Sequence, residues 1–447
     1  MEPSEGTTPG TSGPEHVSTR LKRIAELAKK SPKMAFTTLS HHIDTDFLRV
    51  AWALTRKDGA TGIDGQTADS YEENLEANLH SLLERFKSGT YKAPPVKRGY
   101  IPKSEGKSLR PIGVPTFEDK VLQRAVAMVL EAVYEQDFRD CSYGFRPGRS
   151  AHQALEALWK GLMPMNGGTV LELDIQNFFG SLDHTHLRNF LDQRIRDGVL
   201  RRAIDKWLKA GVLEEGVVHH PDSGSPQGGV VSPILSQIFL HEVLDVWFED
   251  VVKPRLKGPA FLIRYADDAV LAFTLEEDAK RVMEVLPKRF EKYSLTLHPE
   301  KTRLVNFRRP PRGGGRGPRP GSFDFLGFTH YWGLSRKGNE TIRKKTARSR
   351  LARAVKAIRL WLSRNLHEPI DDQHVALTQK LQGHYGYFGV SGNLDALQRF
   401  LEQVERAWRY WLNRRSQKAK MIWPHFKRLL SRYPLPGPRT VHPAPLA

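Results

Sequence analysis

Two adjacent aspartates, Asp267 and Asp268, lie between apolar stretches in the segment Ala260–Thr274, AFLIRYADDAVLAFT. The β-prone runs on either side predict two strands joined by a tight hairpin turn. Two carboxylates at a turn between buried strands repel each other, so a shared cation would stabilise them. A solvent-exposed Asp-Asp turn is the alternative interpretation of this segment taken alone.

A third carboxylate, Asp174, ends a second apolar segment, Thr169–Asp174, which also predicts a strand. Three carboxylates at strand ends suit a pair of Mg²⁺ ions, because Mg²⁺ prefers oxygen ligands and completes its shell with water and substrate phosphate. Two such ions stabilise the attacking and leaving oxygens of an in-line displacement at phosphorus. The two segments together therefore favour a phosphoryl-transfer site.

The elements that must position these carboxylates are of mixed type. Apolar residues at helical spacing predict helices over Phe117–Tyr134, Thr341–Asn365 and Leu394–Arg415. The two carboxylate-bearing segments predict strands, and helical stretches lie between them. This mixture favours a mixed α/β body over a helix bundle.

Composition limits the class of partner. The chain has 447 residues, 39% of them hydrophobic, and a net charge of +19. Residues 301–447 carry 30 Lys/Arg against 8 Asp/Glu, a net of +22, whereas residues 1–300 have a net of −3. The basic end predicts a polyanionic partner.

One cysteine, Cys141, excludes a disulfide framework and paired-cysteine zinc sites. No apolar run is long enough to span a membrane, so no membrane partner is expected.

Three segments lack apolar periodicity. Residues 1–16 predict a disordered leader, and residues 431–447 predict an extended Pro-rich tail. Residues 308–321, RRPPRGGGRGPRPG, predict a flexible basic loop that either grips phosphate or serves as a solvated linker.

Short motifs follow one another in a set order between about residues 55 and 425. They are GIDG at 62–65, IPKSEGKSLRPIGVPTFEDKVLQ at 101–123, SYGFRPGRSAHQAL at 142–155, LELDIQNFFGSLDH at 171–184, SPQGGVVSPILSQIFLHEVLD at 225–245, RYADDAVL at 264–271, HPEKTR at 298–303, DFLGF at 324–328 and LQGHYGYF at 381–388. In type and order they resemble the motifs of group II intron reverse transcriptase/maturases. The resemblance implies an α+β right-hand polymerase fold, with fingers and palm over 17–335 and a helical thumb, the maturase domain X, over 336–430.

The resemblance also implies roles at the carboxylates. Asp174 and Asp267 would hold both Mg²⁺ ions, with Asp268 completing the set and the backbone of Ile175 assisting. Lys301 matches the lysine that would protonate the pyrophosphate leaving group, and an ordinary surface lysine is the alternative interpretation. These five residues are the predicted catalytic and metal-binding set.

A second group of residues would bind the incoming deoxynucleoside triphosphate. Lys103 and Arg110 would grip its phosphates, since an arginine offers a bidentate fork to such oxygens. Phe179 matches the aromatic that packs under the sugar and excludes a 2′-hydroxyl, with core packing as the alternative. The residues that would shape the nucleotide pocket and contact the template are Pro226, Gln227 and Gly228.

The basic C-terminal region would bind structured RNA, which the resemblance identifies as group II intron RNA. The predicted phosphate-binding residues are Arg343, Lys344, Lys345 and Arg348, on the exposed face of the 341–365 helix. A template of RNA or DNA with its primer would be the other nucleic-acid partner. We expect a cytoplasmic, nucleic-acid-associated protein of bacterial type.

Two other functions remain open from the sequence. One is a free-standing reverse transcriptase adopted by its host for defence or repair, and the other is an RNA-binding splicing cofactor without polymerase activity. With a single cysteine, the sequence resembles the endonuclease-lacking branch, and we expect no Cys/His-rich endonuclease segment of the kind that many relatives carry. Second-strand cleavage would then come from elsewhere or not be needed.

Overall fold

The structure is a computed structural model, and the residues that it describes are 14–102, 109–219, 224, 228–311, 320–335, 337–416 and 420–443. Three predicted site residues, Lys103, Pro226 and Gln227, lie outside these ranges. So do residues 312–319 of the basic loop and most of the predicted leader.

Helices surround the central strands and make up most of the C-terminal region. A π-helix, His241–Val252, directly continues α9. The α-helices are α1 (Pro14–Lys30), α2 (Thr45–Ala53), α3 (Ala68–Glu72), α4 (Leu75–Ser88), α5 (Phe117–Tyr134), α6 (Ala151–Leu162), α7 (His184–Asp192), α8 (Gly198–Leu208), α9 (Ser232–Leu240), α10 (Glu276–Glu291), α11 (Arg348–Arg364), α12 (Ile370–Phe388), α13 (Leu394–Leu412) and α14 (Trp423–Arg432).

The strands form four sheets among the described residues, in the orders β2-β1-β5-β6, β10-β3-β8-β7, β11-β12-β13 and β4-β9. We call β10-β3-β8-β7 the central sheet. The strands are β1 (Val96–Pro102), β2 (Leu109–Val114), β3 (Thr169–Leu173), β4 (Ile175–Gln176), β5 (Val212–Glu214), β6 (Val217–His219), β7 (Ala260–Tyr265), β8 (Asp268–Phe273), β9 (Thr296–Leu297), β10 (Arg303–Asn306), β11 (Phe323–Phe325), β12 (Phe328–Leu334) and β13 (Glu340–Thr346).

The central sheet is buried on both faces. Leu171 and Leu271 point into a core shared with α5 and α9, whereas Val170 and Val270 point into a second core beneath α6 and β11–β13. This alternation follows from the two-residue period of a strand. Because both faces are covered by apolar residues, polar chemistry on this sheet is confined to its ends.

The predicted strands and two of the predicted helices are confirmed. Strands form at 169–173, 260–265 and 268–273, and α5 covers the predicted Phe117–Tyr134. The Thr116 side chain accepts a hydrogen bond from the backbone of Asp119 and so caps this helix. The helix predicted over 394–415 is α13, which ends three residues earlier.

The helix predicted over 341–365 is wrong in its first part. Residues 340–346 form β13, which pairs antiparallel with β12 along its whole length. β-Branched residues in this segment favour a strand, and β12 provides its backbone hydrogen bonds. The predicted domain boundary between residues 335 and 336 therefore falls within one sheet, and the helical region begins at Arg348.

The two ends of the chain also differ from prediction. Helix α1 begins at Pro14, inside the predicted leader, since proline suits the first turn of a helix. At the other end, α14 continues to Arg432, and an irregular segment follows in which the Pro436 carbonyl accepts a hydrogen bond from Tyr385 Oη. No helix of the described residues is long and apolar enough to cross a membrane.

Candidate active site

The hairpin predicted at the aspartate pair is present as the β7–β8 hairpin. Tyr265 is paired with Asp268, so Ala266 and Asp267 form a two-residue turn. Ala266 has a φ of +57°, a left-handed conformation that costs energy for a residue with a Cβ. The turn therefore needs support from its surroundings.

The third carboxylate lies at the same end of the central sheet. β3 pairs antiparallel with β8, with Leu173 opposite Ala269, so Asp174 follows β3 beside Asp268. Strand pairing, rather than proximity in sequence, brings these carboxylates together. Residues 174 and 268 both line an open cleft of about 380 Å³.

The electrostatics of the site reflect crowded negative charge. Reduced hydration inside the cleft, together with the charges of Asp267 and Asp174, raises the pKa of Asp268 to about 6. Asp268 as a residue is nevertheless exposed to solvent. Burial also raises the pKa of Asp267, and the nearby Arg110 partly offsets this rise. A cation placed between these groups would favour their ionised forms.

Lys301 belongs to the same cleft. Its Nζ lies 3.6 Å from Oδ2 of Asp174. The segment that carries it is tied to the Asp174 backbone, because the carbonyl of Asp174 accepts hydrogen bonds from the backbone of His298 at 2.8 Å and from Oγ1 of Thr302 at 3.2 Å. Ile175 is buried, and its strand pairs with Leu297 in the same segment.

The structure describes three of the predicted nucleotide-binding residues, on three different segments. Arg110 lies on β2, close enough to Asp267 to influence its pKa. Phe179 is half-buried in a 3₁₀ turn after Asp174. Gly228 has a φ of +118°, and a Cβ there would lie 2.6 Å from the Gly113 carbonyl oxygen on β2, so only glycine fits this close approach.

The four predicted RNA-binding residues do not share one helix face. Arg343, Lys344 and Lys345 lie on β13, and Arg348 begins α11. Lys345 and Arg348 are exposed, and the Lys345 Nζ lies 4.9 Å from the Tyr331 ring centre. Lys344 is half-buried, and loss of hydration lowers its pKa. Two of the four cations are therefore freely available to a phosphate backbone.

Two arginines that the sequence analysis did not assign to the site face the carboxylates from α11. Arg350 and Arg353 line the cleft with Asp174 and Asp268, one helical turn apart. Nε and Nη2 of Arg353 are buried and have no hydrogen-bond partner among the described residues. Their i, i+3 spacing on a basic helix is visible in the sequence, but the sequence does not show that this helix packs against the carboxylates.

In the described part of the chain, no group of three or more His, Cys, Asp or Glu side chains is arranged so that it could hold a metal ion. The strand-end carboxylates nevertheless suit Mg²⁺, which binds through one or two carboxylates and keeps waters and substrate phosphates in its shell. The raised pKa of Asp268 fits such an ion, because loss of hydration and the charges of Asp267 and Asp174 cause the rise, and a bound divalent cation would favour the ionised form.

Comparison with known proteins identifies the family to which the chain belongs. Residues 101–330, about half of the chain, match the family model described as reverse transcriptase (RNA-dependent DNA polymerase). This range includes the carboxylates, Arg110, Phe179 and Lys301. The chain belongs to this family, in the branch of the group II intron reverse transcriptases and maturases.

Individual relatives support that branch. The chain is 39% identical over 229 residues to the group II intron-encoded protein LtrA of Lactococcus lactis, a match that covers 50% of this chain and 37% of the relative. It is 39% identical over 184 residues to protein YkfC of Escherichia coli, covering 40% and 48%. It is 28% identical over 229 residues to the mitochondrial nuclear intron maturase 2 of Arabidopsis thaliana, covering 40% and 31%. The match thus spans less than half the length of each of these relatives.

Proposed function

We propose that this chain is an RNA-directed DNA polymerase of the group II intron type that also binds structured intron RNA and assists its splicing. The observation that carries the polymerase is the convergence of Asp174, Asp267 and Asp268 at one end of the central sheet. They lie at the ends of two hydrogen-bonded strands, and Asp174 and Asp268 share a cleft with Lys301 and Arg350. In such a cleft the carboxylates would bind metal cations, and the lysine and arginine side chains would bind phosphates.

Asp174, Asp267 and Asp268 would hold two Mg²⁺ ions, with the backbone of Ile175 assisting. The ions supply Lewis-acid stabilisation of the attacking and leaving oxygens at the reacting phosphorus. The protein's own contribution is to hold the carboxylates close together and correctly directed, which the strand pairing of β3 and β8 supports. The site is then electrostatically prepared before the nucleotide arrives.

Other side chains of the cleft would act on the nucleotide itself. Arg110 would bind its phosphates, together with Lys103 outside the described residues. Lys301, held beside Asp174, would donate a proton to the departing pyrophosphate. Phe179 would pack under the deoxyribose and exclude a 2′-hydroxyl.

The basic C-terminal region would bind structured intron RNA. Residues 301–447 carry a net charge of +22, which favours phosphate binding independent of sequence. The naming of the relatives as an intron-encoded protein and an intron maturase supports intron RNA as the partner. A splicing cofactor without polymerase activity is the second candidate, because one of those relatives is named for maturase function alone.

Primer extension on an RNA template with Mg²⁺ tests the polymerase. We expect the wild type to extend a primer and Asp267→Asn to lose activity by several orders of magnitude, because a metal-binding charge is removed. The variant should fold, since removing one of the crowded acids relieves repulsion. Asp205→Asn is the matched control, because it removes a carboxylate on α8 that pairs with Arg188 on α7. This variant should extend the primer at the wild-type rate.

The two candidate functions give different results. A wild type that binds and helps splice intron RNA but does not extend primers would identify a splicing cofactor. Extension by Asp267→Asn at near wild-type rate would show that the catalytic assignment is wrong.

A further inference from the structure

A buried arginine lies directly behind the catalytic turn. Arg264 is the fifth residue of β7, and its side chain is completely buried. Its Nε donates to Oδ1 of Asp245 at 2.7 Å, and its Nη2 donates to Oδ2 at 2.5 Å. Asp245, in the π-helix, is also completely buried. This is a bidentate ion pair with both partners removed from water.

The remaining nitrogen of Arg264 reaches the turn. Nη1 donates to the carbonyl oxygen of Ala266 at 3.0 Å and to Oε1 of Gln237 at 2.9 Å. Ala266 is the residue in the left-handed conformation, and its carbonyl belongs to the peptide bond that leads into Asp267. The guanidinium therefore holds the backbone group whose orientation determines where the Asp267 carboxylate points.

The loop that contains the SYGFRPG motif supports the other side of the turn. A Cβ on Gly144 would lie 2.2 Å from the Ala266 nitrogen, so the loop backbone packs directly against the turn. Backbone hydrogen bonds of 2.8 Å join Tyr143 to the Arg264 carbonyl and Arg264 to the Cys141 carbonyl. The turn is thus held from one side by a charged side chain and from the other by a close backbone contact.

An ion pair of this kind is a poor means of stabilising a fold. Removing two charges from water costs several kcal/mol, and apolar residues of similar volume often stabilise as well or better. Arg264 and Asp245 lie in the interior next to the active site, in contact with the buried polar side chains of Gln237 and His241, where geometry matters more than stability. A positioning role accounts for a costly pair at this place.

We propose that Arg264 is a positioning residue that, held by Asp245 and Gln237, fixes the Ala266–Asp267 turn so that the Asp267 carboxylate is directed at the metal ions. The inference rests on the proposed function, in which Asp267 is a metal ligand. Residues that orient metal ligands typically change metal affinity by about 10- to 100-fold when they are replaced.

The test replaces the whole pair, because removing one partner would leave a buried charge that could unfold the protein. In the double variant Arg264→Met/Asp245→Leu we expect Mn²⁺ affinity, measured by electron paramagnetic resonance without nucleotide, to fall by about 10- to 100-fold. The Mg²⁺ concentration needed for half-maximal primer extension should rise by a similar factor. The single variant Arg264→Lys should recover part of this loss, since one ammonium can replace some of the hydrogen bonds.

A second buried arginine provides the control. Arg194 pairs with Asp137 and donates to the carbonyls of Ala28, Ser31 and Met34, away from the hairpin turn. Arg194→Met/Asp137→Leu should change thermal stability without changing Mn²⁺ affinity or the Mg²⁺ requirement. Equal shifts in both double variants, or wild-type Mn²⁺ affinity in the Arg264 variant, would overturn the proposal.

The same measurements separate this inference from the proposed function. One result would support the positioning role and contradict the polymerase. In that result the wild type does not extend primers, Asp267→Asn abolishes Mn²⁺ binding, and the Arg264→Met/Asp245→Leu variant weakens it. A wild type that binds no Mn²⁺ at this site would contradict both.

Discussion

Phe178 and Phe179 are neighbours in sequence that lie in different environments. The Phe178 side chain is 3% exposed and packs edge-on against Phe239 in the core, with ring centres 6.4 Å apart. Phe179 is only half-buried. The difference arises in the 3₁₀ turn that begins after Asn177, whose φ is +47°. Core packing, the alternative interpretation of Phe179, describes Phe178 better.

Sugar selection should therefore depend on Phe179. We expect Phe179→Ala or Phe179→Val to incorporate ribonucleotides more readily, because a steric wall under the sugar is removed. An effect of about 1–3 kcal/mol on discrimination is reasonable for a contact of this size. The measurement is kcat/KM for a ribonucleotide and its deoxyribonucleotide in each protein.

Phe178→Ala is the matched comparison. Deleting this buried ring should reduce the free energy of unfolding by about 3–5 kcal/mol while leaving the sugar preference unchanged. If the Phe179 variants kept the preference for deoxyribonucleotides and Phe178→Ala relaxed it, Phe178 would be the residue that excludes the 2′-hydroxyl.

At the scale of elements, the site depends on how α11 faces the β7–β8 hairpin. Arg350 and Arg353 project from successive turns of α11 into the cleft that Asp174 and Asp268 line. The buried and unpaired nitrogens of Arg353 are costly without a partner. A phosphate of the nucleic acid in the cleft would provide an acceptor once the Arg353 side chain turns toward it.

Neutralising both arginines should weaken primer–template binding. Two lost phosphate contacts would reduce the log–log salt slope of binding by about 1.4 to 1.8. For Arg350→Gln/Arg353→Gln we therefore expect a higher KM for primer–template, measured across a salt series, with a smaller change in kcat. The KM increase should shrink as salt concentration rises, because the lost contacts are electrostatic.

Lys356→Gln/Arg359→Gln is the control on the same helix. Both side chains are exposed and do not line the cleft. This variant removes the same charge and should leave the KM for primer–template unchanged. An equal KM change in both variants would mean that the net charge of α11, and not its position, controls binding.

At the scale of the whole molecule, the strongest feature is the separation of charge. The part of the chain after residue 300 is strongly basic, whereas the part before it is slightly acidic. The positive field is therefore concentrated on the helical region and β11–β13. Long-range attraction of RNA should be directed to that part.

RNA affinity should then depend steeply on salt and on exposed cations of this region. Of the four predicted RNA-binding residues, only Lys345 and Arg348 are exposed, because Arg343 and Lys344 are half-buried. We expect Lys345→Gln/Arg348→Gln to flatten the salt slope of RNA binding by about 1.4 to 1.8 if both contact phosphate. Filter binding of a structured intron RNA over a salt series measures this slope.

Primer extension on a short annealed template should be less affected in this variant, since the cleft is intact. Lys22→Gln/Arg23→Gln, which removes two exposed charges from α1, is the matched control. A slope equal to that of the wild type in the Lys345/Arg348 variant would show that these cations form a solvated surface only.

Much of the local structure follows from local chemistry in the sequence. The two β-prone runs on either side of Asp267 predicted the β7–β8 hairpin, and the apolar stripe predicted α5 within its actual bounds. These elements depend on neighbours along the chain, so a window of residues contains the necessary information. The same holds for the types and order of the motifs that identified the family.

The elements that were predicted wrongly depend on distant partners. Residues 340–346 carry strand-forming side chains directly before a segment of helical periodicity, and β12 makes them a strand by providing hydrogen bonds along one side. Arg350 and Arg353 belong to the cleft only because α11 packs across it. Nothing within their own segments records that packing.

The sequence by itself determined which residues carry the chemistry, because side-chain type, spacing and motif order are properties of the chain. The tertiary structure alone decided which of them meet. Asp174 and Asp268 become neighbours through the pairing of β3 with β8, and Arg264 reaches the turn because Asp245, 19 residues earlier, holds its guanidinium. Contacts between residues far apart in sequence depend on the free energy of packing the whole chain, which no single segment contains.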